Sequence, residues 1–184
     1  MKPPALIERD RCLLVVVDVQ EKLLPAVLDP AGLILQLSIL LEASQKMEVP
    51  VLFTEHCSGS IGPTVAKLRD QAPDARLLEK THFQATAEPE AIISLKQFNR
   101  PQVVLAGTEA HVCVLQTAIG LLGAGFEVFL VRNAISSRTP EDLNAAISRL
   151  KDMGATIVTT EMVLFEWLER ADIDEFKTIL QLVR

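Results

Sequence analysis

Short apolar runs rich in β-branched residues, separated by helical patterns, constrain the fold of this 184-residue chain most strongly. Residues 13–17 are apolar at every position, which is typical of a strand covered on both faces of a parallel sheet. Residues 103–106 are similar, and a polar loop connects them to a helical pattern at residues 112–124. Strands that alternate with helices in this way predict an α/β fold with a mostly parallel sheet and helices on both faces.

The whole chain, residues 1–184, is predicted to form one domain, with an N-terminal arm at residues 1–10. The predicted strands are residues 13–17, 49–54, 76–78, 103–106, 128–131 and 156–158. The predicted helices are residues 33–47, 63–68, 89–98, 112–124, 140–153, 162–168 and 173–182. Neither an internal repeat nor a long linker interrupts the alternation, so a second domain is not expected.

Composition narrows the classes of partner and location. The net charge of −6 and the isoelectric point near 5.1 argue against nucleic acid and anionic membranes as partners. No stretch approaches the ~20 apolar residues of a membrane span, and no secretory signal is recognisable, so a cytoplasmic protein with free thiols is expected. Because 49% of the residues are hydrophobic, we expect a homo-oligomer that covers part of the apolar surface.

Three polar residues follow predicted strands at one edge of the sheet. Asp18 follows the first strand, Lys80 the third and Cys113 the fourth. Open parallel sheets bind small-molecule ligands outside the carboxyl ends of their strands, at a topological switch point. Cys113 is the candidate nucleophile, because the start of a helix favours the thiolate. Asp18 is the candidate base, and Lys80 is expected to balance its charge.

Five segments carry a resemblance to a known family and span almost the whole chain. In order they are LLVVVDVQEKLLP, GPTV, LLEKTHFQAT, VVLAGTEAHVCVLQTA and VRNAISSR. They resemble the isochorismatase-like cysteine hydrolases, and most closely the isochorismatase-domain-containing hydrolases of unassigned substrate, which share the KTxF and SSR segments. The resemblance implies a Rossmann-like, three-layer αβα fold with a six-stranded sheet. It also implies that Asp18, Lys80 and Cys113 form a catalytic triad.

The resemblance further implies how the site is completed. The family carries a non-proline cis peptide shortly before the cysteine, which by position would join Thr108 to Glu109. That bond would direct the N–H of Glu109 into the site, where it would form an oxyanion hole with the N–H of Cys113. Thr108 would then lie at the substrate, and Gln20 and Phe83 occupy positions that commonly line the family's pocket.

Metal and cofactor are not expected. The segment TEHCSGSIG lacks the Asp and His ligands that nicotinamidases of this family carry after the second strand. His56, Cys57 and His82 do not form a ligand pair with tetrahedral zinc spacing. Nicotinamidase activity is therefore disfavoured together with a metal.

The leading hypothesis is hydrolysis of a small amide or related C–N bond through a thioester on Cys113. True isochorismatases typically replace this cysteine, so vinyl ether hydrolysis is the second hypothesis. A non-catalytic interaction module or redox-thiol module is the third. His111 is either a rival base or a residue that contacts substrate or a neighbouring subunit. The segment of residues 136–138 caps a helix, packs or binds a ligand, and these readings remain open.

Overall fold

The computed structural model describes residues 6–183, which form a six-stranded parallel sheet with helices on both faces. The strands are β1 (Cys12–Val17), β2 (Val51–His56), β3 (Arg76–Lys80), β4 (Gln102–Gly107), β5 (Glu127–Ile135) and β6 (Thr156–Val158). The helices are α1 (Pro30–Lys46), α2 (Ser58–Ile61), α3 (Ala66–Gln71), α4 (Ala91–Gln97), α5 (Leu115–Gly123), α6 (Pro140–Asp152), α7 (Thr160–Leu168) and α8 (Phe176–Leu182). The predicted three-layer α/β fold is confirmed.

The N-terminal end of the chain is described only from residue 6. Residues 1–5 of the predicted N-terminal arm lie outside the described residues, and residues 9–11 form a short 3-10 turn directly before β1. Within residues 6–183, none of the helices has the length and apolar character required to cross a membrane.

The central strand explains why its sequence is apolar at every position. Leu14 and Val16 belong to the core between the sheet and helices α1 and α7. Leu13, Val15 and Val17 point the other way, into the core that α5 and α6 cover. Because successive side chains of a strand alternate between faces, a strand with two covered faces needs apolar residues throughout.

The sheet order places the switch point beside the polar residues predicted from the sequence. The order is β3-β2-β1-β4-β5-β6, so the chain reverses its direction of growth between β1 and β4. These two strands are adjacent, and their last residues, Val17 and Gly107, are paired. On the other side of β1, His56 at the end of β2 pairs with Lys80 at the end of β3. The ends of four neighbouring strands therefore form one rim, where this fold class binds ligands.

Strand β5 is longer than predicted. The sequence indicated a loop from Asn133, whereas the strand continues to Ile135. The register shifts between Leu105 and Gly107 on β4, and Gly107 then pairs with Ile135. This irregularity extends the ladder over residues that have no continuous apolar pattern, so periodicity alone missed them.

The helix predicted at residues 63–68 is also wrong at its start. Thr64 instead forms an isolated antiparallel bridge with Gln20, and the N–H of Val65 donates to the carbonyl of Val19. The buried carboxylate of Glu55 accepts from the N–H of Thr64. These contacts hold the segment extended, so the helix begins only at Ala66.

Candidate active site

Asp18 lies at the centre of the rim, immediately after β1. It adopts a left-handed conformation with φ of 52°, which Asp tolerates better than most residues. Its N–H still donates to the carbonyl of Thr54, and the Thr54 hydroxyl donates to its Oδ1 at 2.6 Å. The Thr108 hydroxyl donates to its backbone carbonyl. Asp18 is fully buried, and hydrogen bonds from β2 and from the loop after β4 fix its position.

Lys80 completes a buried ion pair with Asp18. Its Nζ lies 2.6 Å from Asp18 Oδ2, and both side chains are 0% exposed. The same ammonium donates to the backbone carbonyls of His82 at 3.3 Å and Phe83 at 3.4 Å. All three ammonium protons therefore have acceptors, as a charge without access to water requires.

Cys113 adjoins this pair, so the three predicted triad residues come together. It is 3% exposed, and its thiol lies close enough to Asp18 and Lys80 for both charges to act on it. Burial, followed by the charge of Asp18, raises the pKa of the Cys113 thiol from 9.0 to about 12, although Lys80 opposes the shift.

The expectation of a thiolate favoured by a helix start is therefore wrong. Cys113 lies inside a π-helical turn, Ala110–Val114, and α5 begins only at Leu115. Desolvation and the neighbouring Asp18 carboxylate both disfavour a negative charge on the sulfur. The resting side chain is a neutral thiol.

The loop of residues 108–113, called the cysteine loop below, starts with a close approach of two strands. Gly107 has φ of +138°, and a Cβ there would lie 2.2 Å from the carbonyl oxygen of Val17. Only glycine fits this position, because both the backbone conformation and the neighbouring strand exclude a side chain. The N–H of Thr108 then donates to the same carbonyl at 2.9 Å.

The expected cis bond between Thr108 and Glu109 is wrong. Every peptide bond within residues 6–183 is trans, and Glu109 instead has φ of 54°. Positive φ at Gly107 and Glu109 turns the chain into the π-helical turn without a cis bond. The Glu109 carbonyl accepts from Val112 and Val114, which closes the turn.

The segment after β5 contacts the cysteine loop at successive residues. The Arg138 guanidinium binds both carboxylate oxygens of Glu109. The carbonyl of Ser136 accepts from Ala110. Residue Thr139, rather than residues 136–138, caps α6 by accepting from the N–H of Asp142. The helix-capping interpretation of residues 136–138 is therefore wrong.

His111 also faces this segment. Its Nδ1 lies 3.0 Å from the Ser137 hydroxyl, and its Nε2 lies 4.0 Å from Asp142 Oδ2. These contacts direct the imidazole toward the start of α6. They give no support to His111 as the base for Cys113, and its contact with substrate stays a prediction.

Gln20 and Phe83, the two residues expected to line the pocket, differ in environment. The Gln20 side chain is fully buried. Its Nε2 donates to the backbone carbonyls of His56 and Gly62, and its Oε1 accepts from the N–H of His56. Its observed contacts are thus structural. The Phe83 ring is 50% exposed and lies 5.1 Å from the His56 ring, beside the rim.

The loop that carries Phe83, residues 81–88, is fastened at both ends. The Glu88 carboxylate accepts from the N–H groups of Thr81 and His82 and contacts His82 Nδ1. These bonds, the one from the His82 backbone first, lower the pKa of Glu88 to about 2. On α5 the Thr117 hydroxyl accepts from Ala85. The loop is thereby fixed one turn of helix away from Cys113.

Sequence reasoning missed Thr54 and the pairing of Glu109 with Arg138. Thr54 is the only hydroxyl on β2, and a buried threonine next to a strand end was the available signal. The pairing of Glu109 with Arg138 joins residues 29 apart, which no local pattern reveals. Among residues 6–183 there is no group of three or more His, Cys, Asp or Glu side chains arranged to hold a metal ion.

Comparisons with known proteins agree with this fold. A family model described as Isochorismatase domain matches residues 12–162. Isochorismatase domain-containing protein 2 of Danio rerio is 36% identical over 172 residues, which cover 93% of this chain and 86% of that protein. The structure of MAR1 ribonuclease from Caenorhabditis elegans has a TM-score of 0.91 and 31% identity, and the match covers 97% of this chain and 92% of that one.

A more distant structure shares the fold. The YcaC gene product from Escherichia coli, an octameric hydrolase of unknown specificity, has a TM-score of 0.92 at 24% identity, over 99% of this chain and 92% of that one. The family model covers most of the present chain, and the Danio rerio protein exceeds 30% identity over nearly all of it. The chain belongs to the isochorismatase family of hydrolases.

Proposed function

We propose that this protein is a cysteine hydrolase that cleaves a small amide or a related C–N bond through a thioester on Cys113. The observation that carries the proposal is the buried pair of Asp18 and Lys80, 2.6 Å apart, whose charges act on the neighbouring Cys113 thiol. Burial of an ion pair carries a desolvation cost in free energy. Buried charged groups beside a nucleophilic side chain are typical of catalytic sites.

The neutral thiol determines the order of events. As Cys113 Sγ attacks the carbonyl carbon, its proton passes to the Asp18 carboxylate, so a free thiolate does not accumulate. The tetrahedral intermediate collapses when its C–N bond breaks, and Asp18 returns the proton to the leaving amine. Water then attacks the thioester, Asp18 takes one water proton, and the thiol is restored as the acid leaves. Lys80 balances the charge of Asp18 throughout.

The remaining roles belong to the same proposal. The N–H groups of Glu109 and Cys113 are kept as the oxyanion donors of the proposal, although the Thr108–Glu109 bond expected to be cis is trans. Thr108 and His111 position the substrate from the cysteine loop, and Phe83 bounds the pocket from the loop after β3. Gln20 supports the pocket through the backbone bonds that it makes.

The charge of the site favours an amide over isochorismate. Isochorismate carries two carboxylates, whereas the Lys80 ammonium is already bound by Asp18 and two carbonyls. Cys113, which vinyl ether hydrolysis does not require, is 3% exposed and lies beside both charged residues. A small neutral substrate needs no counter-charge in so closed a site.

RNA is a less suitable substrate than a small amide, although one structural relative is named a ribonuclease. The chain has a net charge of −6, and a polyanion is attracted by clustered cations. A homo-oligomer in a reducing compartment such as the cytoplasm is also part of the proposal. It is supported by free thiols at Cys12, Cys57 and Cys113 and by exposed apolar side chains such as Leu6 and Ile93.

The test is a substrate panel of small aliphatic and aromatic amides, isochorismate and single-stranded RNA. Wild type is compared with Cys113→Ala, Asp18→Asn and the control Cys57→Ala, which changes a partly exposed thiol. We expect amide hydrolysis that Cys113→Ala and Asp18→Asn abolish and Cys57→Ala preserves. Vinyl ether cleavage that survives Cys113→Ala would instead establish the second hypothesis. Activity on no member of the panel would favour a non-catalytic module.

A further inference from the structure

Residues 136–138, called the clamp segment below, connect the end of β5 to α6 and fasten the cysteine loop at three points. The Ser136 carbonyl accepts from Ala110 at 2.8 Å. The Ser137 hydroxyl lies 3.0 Å from the imidazole of His111. The guanidinium of Arg138 binds the Glu109 carboxylate with two parallel bonds, of 2.8 and 2.9 Å.

Of these contacts, the bidentate pair has the most restrictive geometry. A planar guanidinium that binds both oxygens of a carboxylate fixes orientation as well as distance. The side chain of Glu109 is only 6% exposed, whereas that of Arg138 is 58% exposed. Glu109 also has φ of 54°, and its carbonyl closes the π-helical turn that contains Cys113. The carboxylate is thus anchored at the residue where the turn begins.

We infer that Arg138 is a positioning residue, which holds Cys113 against the buried pair of Asp18 and Lys80 by binding the Glu109 carboxylate. Arg138 acts through Glu109 and the turn, and it takes no part in the bond changes. The inference rests on the proposed function only for its turnover measurement, because the accessibility of Cys113 is measured without a substrate.

The contacts of the clamp segment with the rest of the fold support this role. The carbonyl of Ser137 accepts from the N–H of Leu28, and the hydroxyl of Ser136 donates to the carbonyl of Leu28. The N–H of Ser136 donates to Gly107 on β4. The clamp segment is therefore fixed to the end of the sheet and to the chain that follows Asp18, so it is a rigid support for the loop that it grips.

The three cysteines give an internal readout of loop position. Cys113 reports on the cysteine loop, and the pKa of its thiol, about 12 in place, depends on burial and on Asp18. Cys12 on β1 is also buried, and burial raises its pKa to about 12, so it reports on global unfolding. Cys57 is partly exposed and serves as the reactive reference.

The experiment measures alkylation of each cysteine by iodoacetamide across pH, by peptide mass spectrometry, in Arg138→Gln, Arg138→Lys and wild type. Arg132→Gln is the matched control, because it removes the same charge from an exposed site on β5, shortly before the clamp segment. Where wild type hydrolyses an amide of the panel, kcat and KM are measured on that amide. Glu109→Gln with Arg138→Gln removes both charges and provides a variant without an unpaired buried carboxylate.

We expect two readouts to change in opposite directions in Arg138→Gln. Turnover should fall about tenfold or more, mainly in kcat, because the nucleophile is displaced. Alkylation of Cys113 at pH 9 should rise about tenfold or more, because a thiol that leaves Asp18 and gains water loses the causes of its raised pKa. Cys12 should stay protected. Arg138→Lys keeps the positive charge but loses the two parallel bonds of the guanidinium. Its turnover and its Cys113 alkylation rate should lie between those of wild type and Arg138→Gln.

An unchanged Cys113 profile in Arg138→Gln, equal to that of Arg132→Gln, would overturn the inference. If Cys12 becomes reactive together with Cys113 in Arg138→Gln, that variant has unfolded globally. The double variant Glu109→Gln with Arg138→Gln is then used to test the positioning role. With Cys12 protected, a shifted Cys113 profile supports the positioning role and a wild-type profile overturns it. If wild type hydrolyses no amide, the proposed function fails, and the alkylation profiles alone decide the role of Arg138.

Discussion

Replacement of Lys80 by Met tests the buried ion pair most directly. The substitution keeps much of the apolar stem and removes the charge, so the Asp18 carboxylate, fully buried, retains the Thr54 hydroxyl as its side-chain partner. Loss of one member of a buried pair costs about 3–5 kcal/mol, because the other charge is left uncompensated. The substitution also removes the bonds from Lys80 Nζ to the carbonyls of His82 and Phe83. Because these bonds are long, at 3.3 and 3.4 Å, their loss should add little to the destabilisation.

The second half of the prediction concerns the double variant. Asp18→Asn with Lys80→Met removes both charges, and a buried pair replaced by neutral groups of similar size is often tolerated. We therefore expect the double variant to recover about 3 kcal/mol of the stability lost in Lys80→Met. Lys67→Met on the exposed face of α3 is the control and should change stability by less than about 0.5 kcal/mol.

Urea unfolding at fixed protein concentration and neutral pH gives these free energies. The single tryptophan, Trp167, is 0% exposed, so its emission should shift to longer wavelength when the chain unfolds. A loss below about 1 kcal/mol in Lys80→Met would refute a desolvated pair. A double variant no more stable than the single variant would refute the claim that the uncompensated Asp18 charge is what costs stability.

Three further predictions concern the thiol, a glycine and the loop after β3. Because the pKa of Cys113 rises to about 12 on folding, its contribution to stability is complete below pH 9 and is lost toward pH 12. From pH 8 to 10 the free energy of urea unfolding should thus fall about 1.4 kcal/mol further in wild type than in Cys113→Ala. Gly107→Ala should cost about 3 kcal/mol or more in urea unfolding, whereas Gly123→Ala, whose added methyl meets open space, should gain about 0.5–1 kcal/mol. Glu88→Gln should speed hydrogen exchange at residues 81–88 with little change in global stability. The same loosening should appear in wild type only as the pH falls from 4.5 toward 2.

Much of the fold was predictable because it depends on local pattern and on general rules of chain topology. The apolar run of β1 required two covered faces, and both cores are present on either side of Leu14 and Val15. The alternation of strands and helices then required a parallel sheet. Asp18, Lys80 and Cys113 had to share a rim because parallel strands end at the same edge.

The features that were wrong or missed depend on contacts between distant segments. Ile135 belongs to β5 because Gly107 pairs with it after a register shift. The helix start at residue 63 failed because Gln20 and Val19 hold residues 64 and 65 extended. The sign of the pKa shift of Cys113 depends on burial and on Asp18, which is 95 residues away in the chain. None of these contacts leaves a periodic signal in the sequence.

The charges of the site also show how a raised pKa of the Cys113 thiol is compatible with the proposed catalysis. The ion pair of Asp18 with Lys80 and the neutral thiol of Cys113 together carry no net charge, which costs least in a site without water. A resting thiolate would add an uncompensated negative charge and would be exposed to oxidants without a substrate present. In the proposed mechanism the proton leaves sulfur only as the new C–S bond forms, so nucleophilicity is tied to substrate binding. That coupling requires Cys113 to stay beside Asp18, which is the role inferred for Arg138 through its two bonds to the Glu109 carboxylate.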